Sequence, residues 1–231
     1  MYPTWTNLTY RGFDYGGYCA WRDRLPRLPH VVSICSTPPT EEVFTLDEAK
    51  LRAGFTWPSP DERDALINQF IRTARAKVEF DTGLALLDQT REVYFDVLTS
   101  NVINLPEHSI PLTAVAAVDI TGSDGTITTL DPSTYWVDFV SARIWLNATT
   151  AGYPYPDTRT FQAWKITIQA GWPDGASLLD EVPTLYHAVG LLVAHYATLG
   201  RDLATIERGT LDEIPQGYSD LIAPFVPISV I

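Results

Sequence analysis

The chain has 231 residues, 45% of them hydrophobic, which suits one domain with appendages and a sizeable core. Its formal net charge is −12, from 28 Asp and Glu against 16 Lys and Arg. A surface of this sign repels phosphate and argues against a nucleic-acid-binding role, although it suits a passage through which DNA slides without sticking.

Residues 1–40 read as an arm. They are rich in aromatics (Tyr2, Trp5, Tyr10, Phe13, Tyr15, Tyr18, Trp21), carry Gly16-Gly17 and end in Pro38-Pro39, with no sustained helical or strand period. So aromatic a segment is a poor candidate for a free disordered tail and is expected to pack on its own subunit or on a neighbour. Its first residues lack the basic-then-apolar layout of a signal peptide. Cys19 and Cys35 both fall here, without the spacing of a metal motif or a disulfide framework, and reduced thiols in a cytosolic setting are expected.

Thr45-Leu46-Asp47-Glu48 is a capping box that opens a short helix over residues 45–53, closed by Gly54. Ser59-Pro60-Asp61-Glu62 reads as a second box with proline at the first helical position. The helix it predicts runs over 61–82, with Leu66, Ile67, Phe70, Ile71, Ala74 and Val78 at helical spacing and Gly83 at its end. Arg63, Arg72 and Arg75 fall mainly on its other faces.

A β region follows over about 89–171. Strands are predicted over 90–97, 102–105, 114–121, 126–130, 135–138, 143–146 and 164–170, with a hairpin turn at Ser123-Asp124-Gly125. Pro183 then opens an almost wholly apolar helix over 183–199. It is interrupted by His187 and His195 and falls short of a membrane span, so it reads as a buried helix. A short helix near 218–223 and an apolar end, Pro224-Phe225-Val226-Pro227-Ile228, close the chain. The fold class is therefore α+β: a helical layer around an inserted antiparallel β region. Its parts are an arm (1–40), a core (41–200) and a C-terminal extension (201–231).

No chemistry assembles along this path. His187 and His195 stand eight apart, whereas a helical metal pair needs a spacing of four. There is no Gly-x-Ser-x-Gly, no cysteine–histidine neighbour and no phosphate-cradling loop. Asp119, Asp138 and Asp157 offer carboxylates for a hydrolase pair, but turns and strand ends account for them equally well. Trp136, Trp145, Trp164 and Trp172 would suit a sugar-stacking platform, although packing in a core is the commoner use of such residues. No catalytic residue, metal ligand or cofactor is expected.

The motifs together resemble a known family. Thr45-Leu46-Asp47-Glu48-Ala49-Lys50 looks like the opening helix of the head–tail connector (adaptor) proteins of long-tailed bacteriophages. Asp64 to Thr82-Gly83 is similar to that family's long helix, which ends in Thr-Gly. Leu105-Pro106, Ile110-Pro111-Leu112, Leu130 to Asp138 and Ile166 to Gly171 resemble its strands, and Val182-Pro183 through His195 its C-terminal helix. The match spans residues 42–226 in order. The arm departs from the family pattern, and residues 147–162 look like an added loop.

The resemblance implies a structural virion protein at the neck, without catalytic residues. It implies a ring of about twelve copies, built head to tail, joining the portal protein to a stopper or tail terminator protein and enclosing the DNA channel. Phe225, Val226, Pro227 and Ile228 are the expected portal or partner docking residues, and Arg63, Arg72 and Arg75 the expected contacts between subunits. The alternatives are another neck or tail-completion ring protein and a carbohydrate- or receptor-binding β module.

Overall fold

A computed structural model describes residues 31–98, 100–147, 157–202 and 216–226 of the chain. The architecture is α+β. Among the described residues five helices, α1 (Leu46–Arg52), α2 (Asp64–Thr82), α3 (Gly175–Glu181), α4 (Pro183–Asp202) and α5 (Gln216–Ile222), form one layer. Eight strands among the described residues form two antiparallel sheets. The larger has the order β1 (Val31–Thr37), β2 (Gln89–Phe95), β8 (Trp164–Ala170), β4 (Leu112–Thr121), β5 (Ile127–Thr129). The smaller has the order β3 (Val102–Asn104), β7 (Arg143–Leu146), β6 (Tyr135–Asp138).

Each layer has its own core. In the helical layer Ile67, Ile71, Ala74 and Val78 of α2 lie buried against Leu185, Val189, Leu192 and Val193 of α4, which is the apolar spacing of the sequence made into contact. In the β region the alternation of β8 points Trp164, Ile166, Ile168 and Ala170 inward. Val93, Val118 and Ile120 join them from the same sheet, and Ile103, Ile144 and Leu146 face them from the smaller sheet.

The layers are joined at a seam after α2. Gly83 ends the helix in the left-handed region (φ 68°), its N–H donating to the Glu79 carbonyl at 2.8 Å. The chain then bonds across to the β region: Ala85 N–H donates to Ile110 O at 2.8 Å, and Asp88 N–H to Trp172 O at 2.7 Å. Glu79 accepts from the Leu86 N–H at 3.0 Å and from Gln89 Nε2 at 3.3 Å. Gly171 (φ 111°) lies so close that a Cβ there would stand 2.0 Å from Leu87 O.

Several expectations hold, and three need correction. The first capping box forms in both directions, Glu48 N–H to Thr45 Oγ1 and Thr45 N–H to Glu48 Oε2. The second does not form: α2 starts at Asp64 rather than residue 61, and its N-cap, Arg63, makes no side-chain cap. The reason is competition. Asp64 accepts from Lys50, Trp57 and the Asp61 N–H, while Asp61 bonds Arg63, so Asp61–Asp64 form a turn ahead of the helix. Residues 31–37 are not part of a periodless arm but the edge strand β1, whose side chains are largely exposed on both faces and so leave no alternation to read. Residues 175–181, which carried no helix expectation, form α3, capped by Asp174 accepting from Ser177 N–H at 2.7 Å. The rest of the arm, residues 148–156 of the suspected added loop and residues 227–231 lie outside the described residues.

Candidate assembly surfaces

The three arginines of α2 occupy different environments. Arg63 makes a two-pronged pair with Asp61 (2.7 and 2.9 Å) and stacks on Trp57, 3.9 Å from the ring centroid. Arg72 is exposed, with Glu42 3.6 Å away. Arg75 is not on an exposed face: its side chain is 13% exposed and bonds Glu42 at 2.9 Å and Glu79 at 3.0 Å. Burial works against its charge, and the two carboxylates outweigh that and raise its pKa. Arg75 therefore ties the segment before α1 to α2 within one subunit, and of the three Arg72 is the freest to reach a neighbour.

The C-terminal residues expected to dock on a partner divide as well. Phe225, the last residue of a short 3-10 turn after α5, packs partly buried against the helical core, and Val226 is exposed. Pro227 and Ile228 lie outside the described residues. The helix beneath them is fixed by Tyr218, whose hydroxyl donates to Asp81 at 2.6 Å. Asp81 also holds Lys77 at 2.5 Å.

The tryptophans split by face. Trp164 and Trp172 are buried. Trp136 and Trp145 sit directly opposite one another on β6 and β7 and face outward, 62% and 45% exposed. Phe139 and Val140, in the turn joining those strands, are exposed too. The hairpin thus presents four large apolar side chains to its surroundings, more than scattered surface residues would account for. A second apolar surface is an open groove of about 400 Å³ lined by Phe55, Trp57, Leu66, Phe70 and Ala197, with Arg63 at its rim.

The candidate carboxylates and histidines have structural partners. Asp119 accepts from Thr129 Oγ1 at 2.6 Å and faces Lys165 at 3.4 Å. Asp138 accepts the Val140 and Ser141 N–H groups, which hold its pKa below the ordinary range, the reverse of what a general acid needs. Asp157 lends its backbone carbonyl to Ser123 N–H. His108 lies 3.3 Å from Leu84 O, and His187 and His195 lie against the rings of Tyr186 and Tyr196. Among the described residues no group of three His, Cys, Asp or Glu is placed to hold a metal ion, and no helix is long and apolar enough to cross a membrane.

The fold has counterparts among solved structures. A chain from the virion of a native gene transfer agent (GTA) particle superposes with a TM-score of 0.66 at 20% identity, covering 86% of this chain and 97% of that one. A chain from the neck of the empty GTA particle, computed with C6 symmetry, gives 0.63 at 21% identity, with 87% and 97% covered. One from the neck of the native particle, computed with C12 symmetry, gives 0.56 at 21%, with 83% and 96% covered. No protein-family model and no curated protein sequence matches the chain.

Proposed function

We propose that this chain is a structural subunit of the neck of a phage-like particle: an adaptor whose copies form a ring at the head–tail interface. In this reading the ring joins the portal to the stopper or terminator on the tail side and encloses the channel through which DNA passes. One observation carries the proposal: the likeness to GTA virion and neck chains takes in nearly the whole of those chains, so helical layer and β region recur together. The net charge of −12 supports it, because an acidic wall does not hold DNA. Exposed aromatics support it too, since Trp and Phe are enriched at interface cores.

The test is removal of residues 227–231 from the particle-encoded protein. Phe225 packs on the core, so a cut after Val226 spares the fold, whereas a cut before Pro224 does not. The truncated subunit is expected to keep its circular dichroism and melting temperature while DNA-filled heads accumulate without tails. A normal yield of tailed particles would remove the C-terminal end from the docking role. Wild-type yield from particles that lack the whole protein would overturn the adaptor reading.

A second reading rests on the outward Trp136–Trp145 pair, which has the form of a sugar-stacking platform. Saccharide-dependent quenching of tryptophan fluorescence, lost in Trp136→Ala, would favour it.

A further inference from the structure

The five-stranded sheet ends in two edges, β1 and β5, and among the described residues no further strand pairs with either. Natural edge strands are usually blunted by charges, prolines or bulges, because their unpaired N–H and C=O groups are a template for another strand. β1 is not blunted in this way. Val31-Val32-Ser33-Ile34-Cys35 carries no charge and no proline, and its one irregularity falls beyond Cys35. Among the described residues little covers it, and Val31 is 41% and Ile34 50% exposed. β5 (Ile127-Thr128-Thr129) is equally uncharged and is exposed at all three residues.

The two edges also match in direction. Every neighbouring pair in the sheet is antiparallel, so the first and fifth strands run the same way. The register carries two continuous rows across the sheet: Val32, Tyr94, Lys165, Asp119, Thr129, and Val31, Phe95, Trp164, Ile120, Thr128. A step from 31 to 32 on β1 is therefore the same step as 128 to 129 on β5. β1 of one copy set beside β5 of the next continues both rows in parallel pairing, with the sheet facing the same way. Pairing of β1 with β1 is two-fold and stops at a dimer, whereas pairing of unlike edges is head to tail and closes only as a ring.

We propose that the β1 edge is occupied by the β5 edge of a second copy, so that the sheets of adjacent subunits join around the ring. This inference rests on the ring reading above. The paired stretch is short. Backbone hydrogen bonds set register and orientation there, and the exposed Ile127 and Val31 add apolar contact beside them.

Cysteine cross-linking tests it. In a background with Cys19→Ser and Cys35→Ser, Val32→Cys and Thr129→Cys fall in one row on one face, where neighbouring strands lie within disulfide reach. Oxidation of assembled rings of the double variant should give a ladder of covalent oligomers well beyond the dimer, and neither single variant should give any. Adding Ile127→Pro should abolish the ladder. Thr126 and Leu130 carry bonds from β5 toward β4, so the N–H removed at 127 points away from β4 and the fold is kept. Rings of normal mass that yield no ladder would overturn the edge proposal and leave the ring reading standing. A dimer from Val32→Cys alone would overturn it in favour of two-fold pairing. A ladder and ring unaffected by Ile127→Pro would overturn the backbone pairing of the β5 edge. Absence of any ring, even with particle components, would sink the ring reading and this inference together.

Discussion

Lys50 is 4% exposed, and its ammonium is held by Asp64 at 2.6 Å and Ser59 Oγ at 2.5 Å, with the Trp57 ring 5.7 Å away. The hydrogen bond from Lys50 is the main reason that the Asp64 pKa falls to about 2; those from the Asp61 N–H, Trp57 and Ser59 add to it, and desolvation opposes them. A depressed folded-state pKa gives stability that is present above the ordinary value of 3.8 and is lost as pH falls toward 2. Asp64→Asn should therefore lower the melting temperature by a constant amount above about pH 5, and the gap should close as the pH approaches 2. A gap independent of pH would assign the effect to packing instead. The tryptophans give a second test at this scale. Trp164→Ala empties a buried site and should cost about 3–5 kcal/mol in denaturant unfolding, against under about 1 kcal/mol for the outward Trp136→Ala. Alternation along β6, β7 and β8 tells which side chains share a face. Which face is covered depends on the other sheet, and Trp172, beyond the end of β8, is covered by the helical layer, so the four tryptophans could not be sorted from sequence.

At the scale of elements, the helices were legible where a local signal was strong and unopposed. Thr45 with Glu48 and Gly83 after Thr82 fixed the start of α1 and the end of α2 within the chain itself. The start of α2 was lost because Asp64 and Asp61 bond to Lys50, Trp57 and Arg63, all of them outside the local box. Two element contacts can be tested. Gly171 sits at φ 111° where a Cβ would stand 2.0 Å from Leu87 O, so Gly171→Ala combines backbone strain with a clash and should destabilise by about 2–5 kcal/mol, breaking the seam between layers. Tyr218 anchors α5, and burial, then its bond to Asp81, raises its pKa. A raised pKa means stability that is present below the ordinary value of 10.0 and lost only as pH rises through the higher folded value. Tyr218→Phe should cost about 1–2 kcal/mol at neutral pH and speed amide exchange in α5, while α2 and the sheets stay protected. Uniformly faster exchange would show that α5 is not a separable unit.

At the scale of the molecule, two cores meeting at one seam give a body with unlike surfaces: an apolar hairpin, an aromatic-lined groove, an exposed Arg72 and two sheet edges that no further strand among the described residues covers. Unlike surfaces on one chain suit head-to-tail contacts. If Arg72 meets a neighbour's carboxylates, Arg72→Glu should shift the ring toward monomer in native mass measurements, more so at low salt, without a change in melting temperature. An unchanged ring would leave Arg72 as a solvated partner of Glu42. The sequence by itself determined the α+β class, the order of the main helices and strands, the acidic surface and the family resemblance, because periodicity, caps and charge are written in neighbouring residues. Only the tertiary structure decided that residues 31–37 join the sheet, that Arg75 turns inward, that Phe225 packs on the core and that two of four tryptophans face out. Each of those depends on which distant segment covers a residue, and burial is a property of the packed chain, not of its local spacing.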